Sequence, residues 1–242
     1  ILGDGTSSDR NVPVQVIKEN GQELGNIVKV ATRNYKTVAL DTQGYIWTWG
    51  GQENSYTARK ITELQDIIDI SANYAVNIKG EVFSINTLEK LQAEKVIRVS
   101  EGATHTVFLR NDSKAYALGE NSKGQLGVGD VKKYETPELI KSTLGTGELK
   151  SIREIKAGNE FTIAVLKNGE VYTWGSNENY KLATTQETNQ VLPKKNENFE
   201  DILSVDAGTN NGVVINNEGF VYTWGLGEYG ANGNKLFSTT SE

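Results

Sequence analysis

The chain has 242 residues, a formal net charge of −6 and a pI near 5.1, so its composition gives no sign of a basic surface that binds nucleic acid. Cysteine is absent, which excludes disulfides and thiolate chemistry, and a single histidine excludes histidine-rich zinc sites. The sequence has no apolar run long enough for a transmembrane helix, and we predict no membrane insertion, cofactor or metal site. Methionine is absent even at position 1, so we expect a chain that was processed or excised from a longer one.

A short motif recurs along the chain. It reads YIWTWGGQ at 45–52, EVYTWGSN at 170–177 and FVYTWGLG at 220–227, with weaker copies between. Recurrence of this kind indicates a repeat architecture, which has to be recognised before single elements are assigned. The residue that closes the motif serves as the anchor of each unit, and the five anchors are Gly50, Asn86, Gly119, Gly175 and Gly225.

A turn signal stands six residues before every anchor. A glycine or serine follows a polar or turn-tolerant residue there, between two apolar segments, which is typical of a β-hairpin. The sequence therefore predicts five hairpins in one register, with turns at Gly44, Gly80, Ser113, Gly169 and Gly219.

The strand after each turn has one bulky and one slim face. Side chains alternate across a strand, so the bulky residues three and one before the anchor share a face. Stacking bulky faces on slim ones buries both sides of each sheet, as in propeller blades. The bulky pairs are Trp47/Trp49, Phe83/Ile85, Tyr116/Leu118, Tyr172/Trp174 and Tyr222/Trp224.

Two further strands are predicted in each unit. An apolar pair spaced three apart, such as Ile152/Ile155, precedes every hairpin. The three prolines, Pro13, Pro137 and Pro193, occupy one phase of the repeat and suggest an outer edge strand, because proline cannot donate to a ladder. The prediction is an all-β fold, a β-propeller of repeated four-stranded blades with about five repeats visible.

The combined motifs resemble the regulator of chromosome condensation repeat. The residues that carry the resemblance are NSKGQLGVGD (121–130), Pro137 and IKAGNEFTIAVLKNGEVYTWGSN (155–177), with SEGATHTVFL (100–109) supplying a His-Thr pair. Two units, ending at Asn86 and Gly119, lack the G-Q-L-G segment. The resemblance implies a single propeller domain over 1–242, with units ending near 50, 86, 119, 175 and 225 and a further unit beginning in 226–242.

The number of blades is left open by the resemblance. Rings of this family usually have seven blades, so the chain is either part of a longer six- or seven-bladed ring or an unusually small ring. The second alternative arises because residues 1–5 and 231–233 fill the same phase of the repeat, so that overlapping ends could close the ring.

No catalytic constellation stands out. The resemblance implies that His105, the one histidine, makes a hydrogen bond inside its blade, and nothing places a nucleophile and an orienting acid beside it. The GDGTSSD stretch at 3–9 lacks the alternating ligands of a calcium loop and is better explained as a turn. We predict that the protein is not an enzyme.

Variable loops between the apolar pair and the hairpin form the candidate site. Aromatic residues beside Asn and Thr are typical of protein-binding surfaces, although ordinary rim residues would look the same. The candidate partner-binding residues are Tyr35, Tyr74, Phe161, Glu160 and Asn210.

The predicted function is a non-enzymatic protein-interaction module that presents a loop face to a macromolecular partner. One alternative is a spacer in a large bacterial surface or filament protein, which could self-associate through unpaired blade edges. Another is an inhibitor of a secreted enzyme, since the resemblance implies inhibition of β-lactamases by some members and guanine-nucleotide exchange on a small GTPase by others. The absence of cysteine and the preference for lysine over arginine favour an extracellular or cell-surface bacterial protein.

Overall fold

The computed structural model describes residues 2–51, 55–186, 188–227 and 233, and in these ranges the regular structure is almost entirely β. A short 3₁₀ helix covers Glu178–Tyr180. Most of the predicted further unit at 226–242, including residues 231 and 232, lies outside the described residues. The strands are β1 Ile27–Arg33, β2 Lys36–Asp41, β3 Ile46–Gly50, β4 Ser55–Ile61, β5 Ile67–Ile70, β6 Tyr74–Asn77, β7 Val82–Ser84, β8 Val96–Glu101, β9 His105–Arg110, β10 Ala115–Gly119, β11 Tyr134–Leu139, β12 Ile152–Ala157, β13 Phe161–Leu166, β14 Val171–Gly175, β15 Gln190–Asn196, β16 Ile202–Ala207, β17 Asn211–Asn216 and β18 Val221–Gly225.

The strands form five antiparallel sheets, which confirms the all-β prediction. The chain divides into two compact units, residues 1–99 and residues 100–242. Unit 1 contains the sheets β1-β2-β3-β4 and β5-β6-β7. Unit 2 contains β12-β13-β14-β15 and β16-β17-β18, and the sheet β11-β10-β9-β8 begins at the division. The extent of the domain over 1–242 stays a prediction.

The predicted hairpins are confirmed in register. In unit 2, β13 and β14 pair from Phe161↔Gly175 to Val165↔Val171, and the other sheets repeat this pattern. The anchor glycine is required by a close backbone approach. Gly175 has φ 101°, and a Cβ atom placed there would lie 2.4 Å from the carbonyl oxygen of Glu160.

The outer strands hold two of the three prolines, as predicted. Pro137 lies in β11 and Pro193 in β15, each at the edge of a four-stranded sheet, whereas Pro13 lies outside the strands. Each outer strand follows its anchor residue and pairs back onto the hairpin just completed. Each four-stranded sheet therefore combines the hairpin of one sequence repeat with the first strand after its anchor, which the sequence count assigned to the next repeat. Strands that are neighbours in sequence pair most readily as antiparallel partners.

Bulky faces pack on slim faces within each unit. In unit 2, Trp174 of β14 packs in one core cluster with Ala115 and Ala117 of β10, and Trp224 packs in another with Ile163 and Val171. In unit 1, Phe83 and Ile85 pack with slim-face residues of the preceding sheet, Val38 and Ile46 among them. The predicted stacking is confirmed in these clusters.

The partner of the Trp-Gly pair is the G-Q-L-G segment at 124–127 or the Y-K-L-A segment at 180–183, which stands at the same distance after the preceding anchor. The indole N–H of Trp174 donates to the carbonyl oxygen of Gln125 at 3.0 Å, and that of Trp224 donates to the carbonyl of Lys181 at 2.8 Å. A buried indole needs such an acceptor. The two units that lack the segment carry Ile85 and Leu118 at the tryptophan position, where no N–H has to be satisfied.

Candidate functional site

The second strand of each sheet begins after a tight turn, and the predicted site residues lie on both sides of that boundary. Tyr35, Glu160 and Asn210 are the last turn residues, directly before β2, β13 and β17. Their carbonyl oxygens accept the N–H of the residue that follows the anchor, at 3.0, 2.7 and 2.9 Å respectively. The backbone at these positions holds the turn, so the side chains are not needed for it.

Tyr35 in unit 1 has an unusual conformation. Arg33 and Lys36 close a two-residue turn in which Asn34 has φ 46° and Tyr35 has φ 67°. Two successive positive φ angles are typical of a type I′ turn, whose second position favours glycine, and a bulky residue there is strained. The Tyr35 side chain is nevertheless 89% exposed, so burial does not compensate the strain.

Tyr74 is the first residue of β6, also in unit 1, and is half-buried. Its backbone N–H donates to Ser71 Oγ at 3.1 Å, and its carbonyl accepts the N–H of Ser71 at 2.8 Å.

The prediction that Phe161 lies on a binding surface is corrected by the structure. Phe161 is the first residue of β13, is fully buried, and packs in a core cluster with Val214 and Trp224. Its ring also closely covers Gly158, where a Cβ atom would lie 2.1 Å from it. A side chain enclosed in this way has no surface to offer a partner. Glu160 and Asn210, also in unit 2, are half-buried polar residues.

A cavity of about 500 Å³ lies beside the Tyr35 turn, within unit 1. Asn34 and Lys36, the two neighbours of Tyr35 in sequence, both line it. Cavities of this size are typical of sites for small ligands or for a few side chains. Among the described residues its lining is Arg33, Asn34, Lys36, Thr48, Trp49, Gly50, Gly51, Ser55, Arg59, Ile61, Asn73, Ile85 and Asn86.

The lining combines three cations with the buried apolar residues Trp49, Ile61 and Ile85. Arg33, Lys36 and Arg59 supply positive charge, and no acidic side chain is found among the described lining residues. Lys36 Nζ donates to Asn86 Oδ1 at 2.6 Å, and the Asn86 amide donates to Asn73 Oδ1 at 3.0 Å.

His105 in unit 2 is buried and makes a hydrogen bond that joins two sheets. Its Nε2 lies 2.8 Å from Thr162 Oγ1, and the Thr162 hydroxyl donates to the carbonyl oxygen of Gln125 at 2.8 Å. Because the Thr162 hydroxyl proton is donated to Gln125, the hydroxyl oxygen acts as the acceptor toward His105. The proton of the neutral imidazole is therefore on Nε2. The contact joins β9 to β13 of the next sheet rather than lying within one blade. Burial lowers the pKa of His105 to about 3.

Two classes of feature are absent from the described part of the chain. No group of three or more His, Asp or Glu side chains is arranged to hold a metal ion there. No helix within the described ranges is long and apolar enough to cross a membrane.

Comparison with known proteins identifies the repeats. Residues 112–165 and 168–215 match the Regulator of chromosome condensation (RCC1) repeat, and residues 152–180 match a second pattern with the same description. Residues 112–215 of the chain are therefore identified as RCC1 repeats. The RCC1-repeat propeller is a protein-interaction and regulatory module, which agrees with the coarse function predicted from sequence.

Relatives of this RCC1-repeat chain are mostly longer proteins. E3 ubiquitin-protein ligase HERC2 of Mus musculus is 25% identical over 180 residues, which cover 73% of this chain and 3% of HERC2. Ultraviolet-B receptor UVR8 of Arabidopsis thaliana is 27% identical over 202 residues, which cover 80% of this chain and 39% of UVR8. The chain thus spans well under two thirds of either relative.

The solved structure of Prp20p from Saccharomyces cerevisiae is similar to this RCC1-repeat chain, with a TM-score of 0.72 at 21% identity. The similarity covers 88% of this chain and 61% of Prp20p. It confirms the β-propeller fold predicted from the sequence. The Prp20p structure is described together with that protein's binding properties to Gsp1p and histones.

The cationic cavity was missed by sequence reasoning. Its charges come from three strands, β1, β2 and β4, and a linear pattern does not show that they converge. One signal was available in the turn itself, because two cations flank Asn34-Tyr35 where the matching turns of unit 2 carry Gly158/Phe161 and Gly208/Asn211.

Proposed function

We propose that this RCC1-repeat chain is a non-enzymatic protein-interaction module whose partner contacts the Asn34-Tyr35 turn of unit 1. The observation that carries the proposal is Tyr35, an aromatic residue that is 89% exposed in a left-handed conformation. Strained residues persist where function needs them, and an exposed tyrosine supplies large contact area at low entropic cost. The half-buried Tyr74 offers further contact area in the same unit.

A photo-crosslinking experiment tests this function. A photoreactive phenylalanine analogue is placed at Tyr35 or, as a matched control, at Leu144, which is 84% exposed in the hairpin loop 142–147 of unit 2. Proteins crosslinked only from position 35 in extracts of the source organism are identified and purified. Their affinities for the wild type, Tyr35→Ala and Leu144→Ala are then measured.

We expect Tyr35→Ala to weaken binding at least tenfold, as for an aromatic residue central to an interface, and Leu144→Ala to leave it unchanged. Equal affinity of the Tyr35→Ala and wild-type chains would contradict the proposed site. The melting temperature of both variants is compared with that of the wild type, so that loss of fold is recognised.

An assembly role is a second candidate, favoured by exposed apolar residues on β18. Val221 is 62% exposed and Tyr222 47% exposed, and β18 is the end strand of its sheet within the described residues. Light scattering of the wild type and of Val221→Lys tests it, with oligomers that dissociate in the variant as the supporting result. Inhibition of a secreted enzyme and an extracellular or cell-surface bacterial location stay predictions.

A further inference from the structure

We propose that the open edge of β1 in unit 1 is an interaction surface that binds an extended, acidic segment of the protein partner. The segment runs along β1 from Val30 to the Tyr35 turn and places a carboxylate on the backbone N–H of Val30. The inference rests on the proposed function and names the chemistry of the partner. It depends on how the equivalent strands of the other sheets are covered.

Val30 is the second residue of the apolar pair that precedes each hairpin, and it differs from its equivalents in burial. Its side chain is 60% exposed. The four equivalent residues are between 1% and 7% exposed, and they are Ile70, Val99, Ile155 and Val205. Ala39, which lies opposite Val30 in the ladder, is buried in a cluster with Leu24 and Trp49. The chain before β1 therefore covers part of this face of the sheet and leaves Val30 open.

The backbone N–H of Val30 points away from its own sheet. β1 pairs with β2 in the same register as β16 with β17, and Val30 takes the position of Val205. The N–H of Val205 donates to a residue of another sheet, so a residue at this position donates outward. The N–H of Val30 has no acceptor among the described residues. An edge strand with such a donor is suited to pairing with another chain.

Two contacts inside the chain show what such an N–H binds. In unit 1 the N–H of Val99 donates to Asp69 Oδ2 at 2.7 Å. In unit 2 the N–H of Val205 donates to Glu154 Oε2 at 3.2 Å. Both carboxylates come from the first strand of the preceding sheet, one residue before an isoleucine. Because hydrogen bonds to a charged acceptor are roughly twice as strong as neutral ones, a carboxylate is the favoured partner for the N–H of Val30.

The side chain of Val30 indicates that the segment also brings an apolar residue. In unit 2, Val205 packs in a core cluster with Ile163 of the preceding sheet. In unit 1, Ile70 packs with Val38 of the preceding sheet in the same way. A segment in β conformation that carries Asp or Glu beside Ile or Val therefore matches both the N–H and the side chain of Val30.

The position of this edge connects it to the proposed Tyr35 contact. Thr32, two residues after Val30 and on the same side of the strand, is exposed, and Tyr35 is 89% exposed in the turn that follows β1. At about 3.3 Å per residue, β1 extends about 10 Å from Val30 to Arg33, its last residue. A short extended segment can therefore reach from the N–H of Val30 to the tyrosine ring.

The test uses a phage-displayed library of random peptides selected on the intact 242-residue chain. The selected peptides are synthesised in two forms, with their acidic residues intact or replaced by the matching amides. Each form is titrated against the wild type, Val30→Pro and Val30→Thr. Val30→Pro removes the N–H, and proline is tolerated on an edge strand where the N–H lies outside the ladder. Val30→Thr keeps both the N–H and the branched shape of the side chain, so it is the matched control.

We expect enrichment of Asp or Glu beside Ile or Val, and a loss of affinity of about tenfold or more when the acidic peptide is titrated against Val30→Pro. Val30→Thr should bind it within about twofold of the wild type. The amide form should lose about threefold or less on Val30→Pro, because a neutral acceptor bonds more weakly.

Amide hydrogen exchange of the wild type gives a second measurement that needs no variant. The N–H of Val30 should exchange with solvent more slowly when the acidic peptide is bound, because it then has an acceptor. The N–H of Val205, which already donates to Glu154, should exchange at an unchanged rate. The melting temperature of Val30→Pro shows whether that variant is folded, and the exchange measurement decides the question if it is not.

Several results would overturn the inference. They are the enrichment of no peptide, enrichment without acidic residues, equal binding of the acidic peptide to the wild type and to folded Val30→Pro, and unchanged exchange at Val30. Dimers of the wild type that are absent in Val30→Pro would assign the edge to a second copy of the chain instead. If Tyr35→Ala weakens binding of the partner crosslinked from position 35 while Val30→Pro does not, the proposed function stands and the β1 edge fails. If neither variant weakens it, both fail.

Discussion

The imidazole Nε2 of His105 lies 2.8 Å from the hydroxyl oxygen of Thr162, and this contact joins strand β9 to strand β13 of the next sheet in unit 2. The Thr162 hydroxyl donates onward to the carbonyl oxygen of Gln125, which also accepts the indole N–H of Trp174. His105 is thereby linked, through Thr162, to the carbonyl oxygen of Gln125 that also accepts from Trp174. The neutral ring fits this network because its Nδ1 has no hydrogen-bond partner within the described structure, and a second proton there would be unsatisfied.

Stability should therefore fall as pH is lowered below about 6.5. Burial lowers the pKa of His105 in the folded state to about 3, so between these values the unfolded chain binds one proton more than the folded chain. The free energy of unfolding is then lost as pH falls, by about 2 kcal/mol between pH 6.5 and pH 5. Urea unfolding of the wild type and of His105→Gln at pH 7 and pH 5 measures this. The variant keeps a donor for Thr162 and should lack the loss. The same loss in both proteins would refute the assignment to His105.

Gly127 lies directly against the indole of Trp174, so a side chain at this position should strongly destabilise the protein. A Cβ atom there would lie 2.7 Å from the indole Nε1, and the residue has φ 68°. Gly127→Ala should cost about 2–4 kcal/mol, from backbone strain together with overpacking of a buried ring. Gly147 has φ 71° with no atom within 4 Å of its Cβ position, so Gly147→Ala should cost only about 1 kcal/mol. Chemical denaturation of both variants measures the free energy of unfolding and so separates overpacking from backbone strain. Equal losses of stability in the two variants would contradict close packing of Gly127 on Trp174.

The buried carboxylate of Asp69 on β5 links that strand to β1 and to β8. Asp69 of β5 accepts hydrogen bonds from Lys29 Nζ at 2.5 Å and from the backbone N–H of Val99 at 2.7 Å. Asp69→Ala should destabilise the protein by about 1–3 kcal/mol, because the buried N–H of Val99 loses its acceptor. Glu135→Ala removes an exposed partner of Lys133 and should leave stability unchanged. Thermal and urea unfolding measure both variants, and a neutral Asp69→Ala would show that Val99 finds another acceptor.

Much of the fold follows from the spacing of residues around the anchors. Glycine at the anchor, a turn residue six before it and alternating bulky and slim positions place the hairpins in register, because each is a local requirement of strand and turn geometry. The link between the Trp-Gly pair and the G-Q-L-G segment was also present in the sequence. It became clear only when the indole of Trp174 was seen to donate to Gln125.

The candidate site was less predictable. Phe161 occupies the position that His105 has in the preceding sheet, and the interior role expected for His105 applied equally to Phe161. The position of Phe161 in the repeat therefore already indicated that its side chain lies in the interior. Tyr35 stands one residue earlier, in the turn, where the backbone alone is constrained and the side chain projects to solvent. The cavity depends on charges from separate strands, which only the folded sheet brings together.

Replacing Tyr35 by glycine should raise stability and weaken binding at once. Tyr35→Gly creates an Asn-Gly pair, the preferred sequence of a type I′ turn, and removes the strain of a bulky residue at φ 67°. Stability should rise by about 1 kcal/mol, since the exposed ring contributes no packing to the fold. Partner affinity should fall as in Tyr35→Ala. Urea unfolding and titration on the same samples give both quantities. A variant that loses stability would mean that the ring supports the turn, and the strain would then be no sign of function. A gain in stability with a loss of affinity would mean that the tyrosine is kept for its partner.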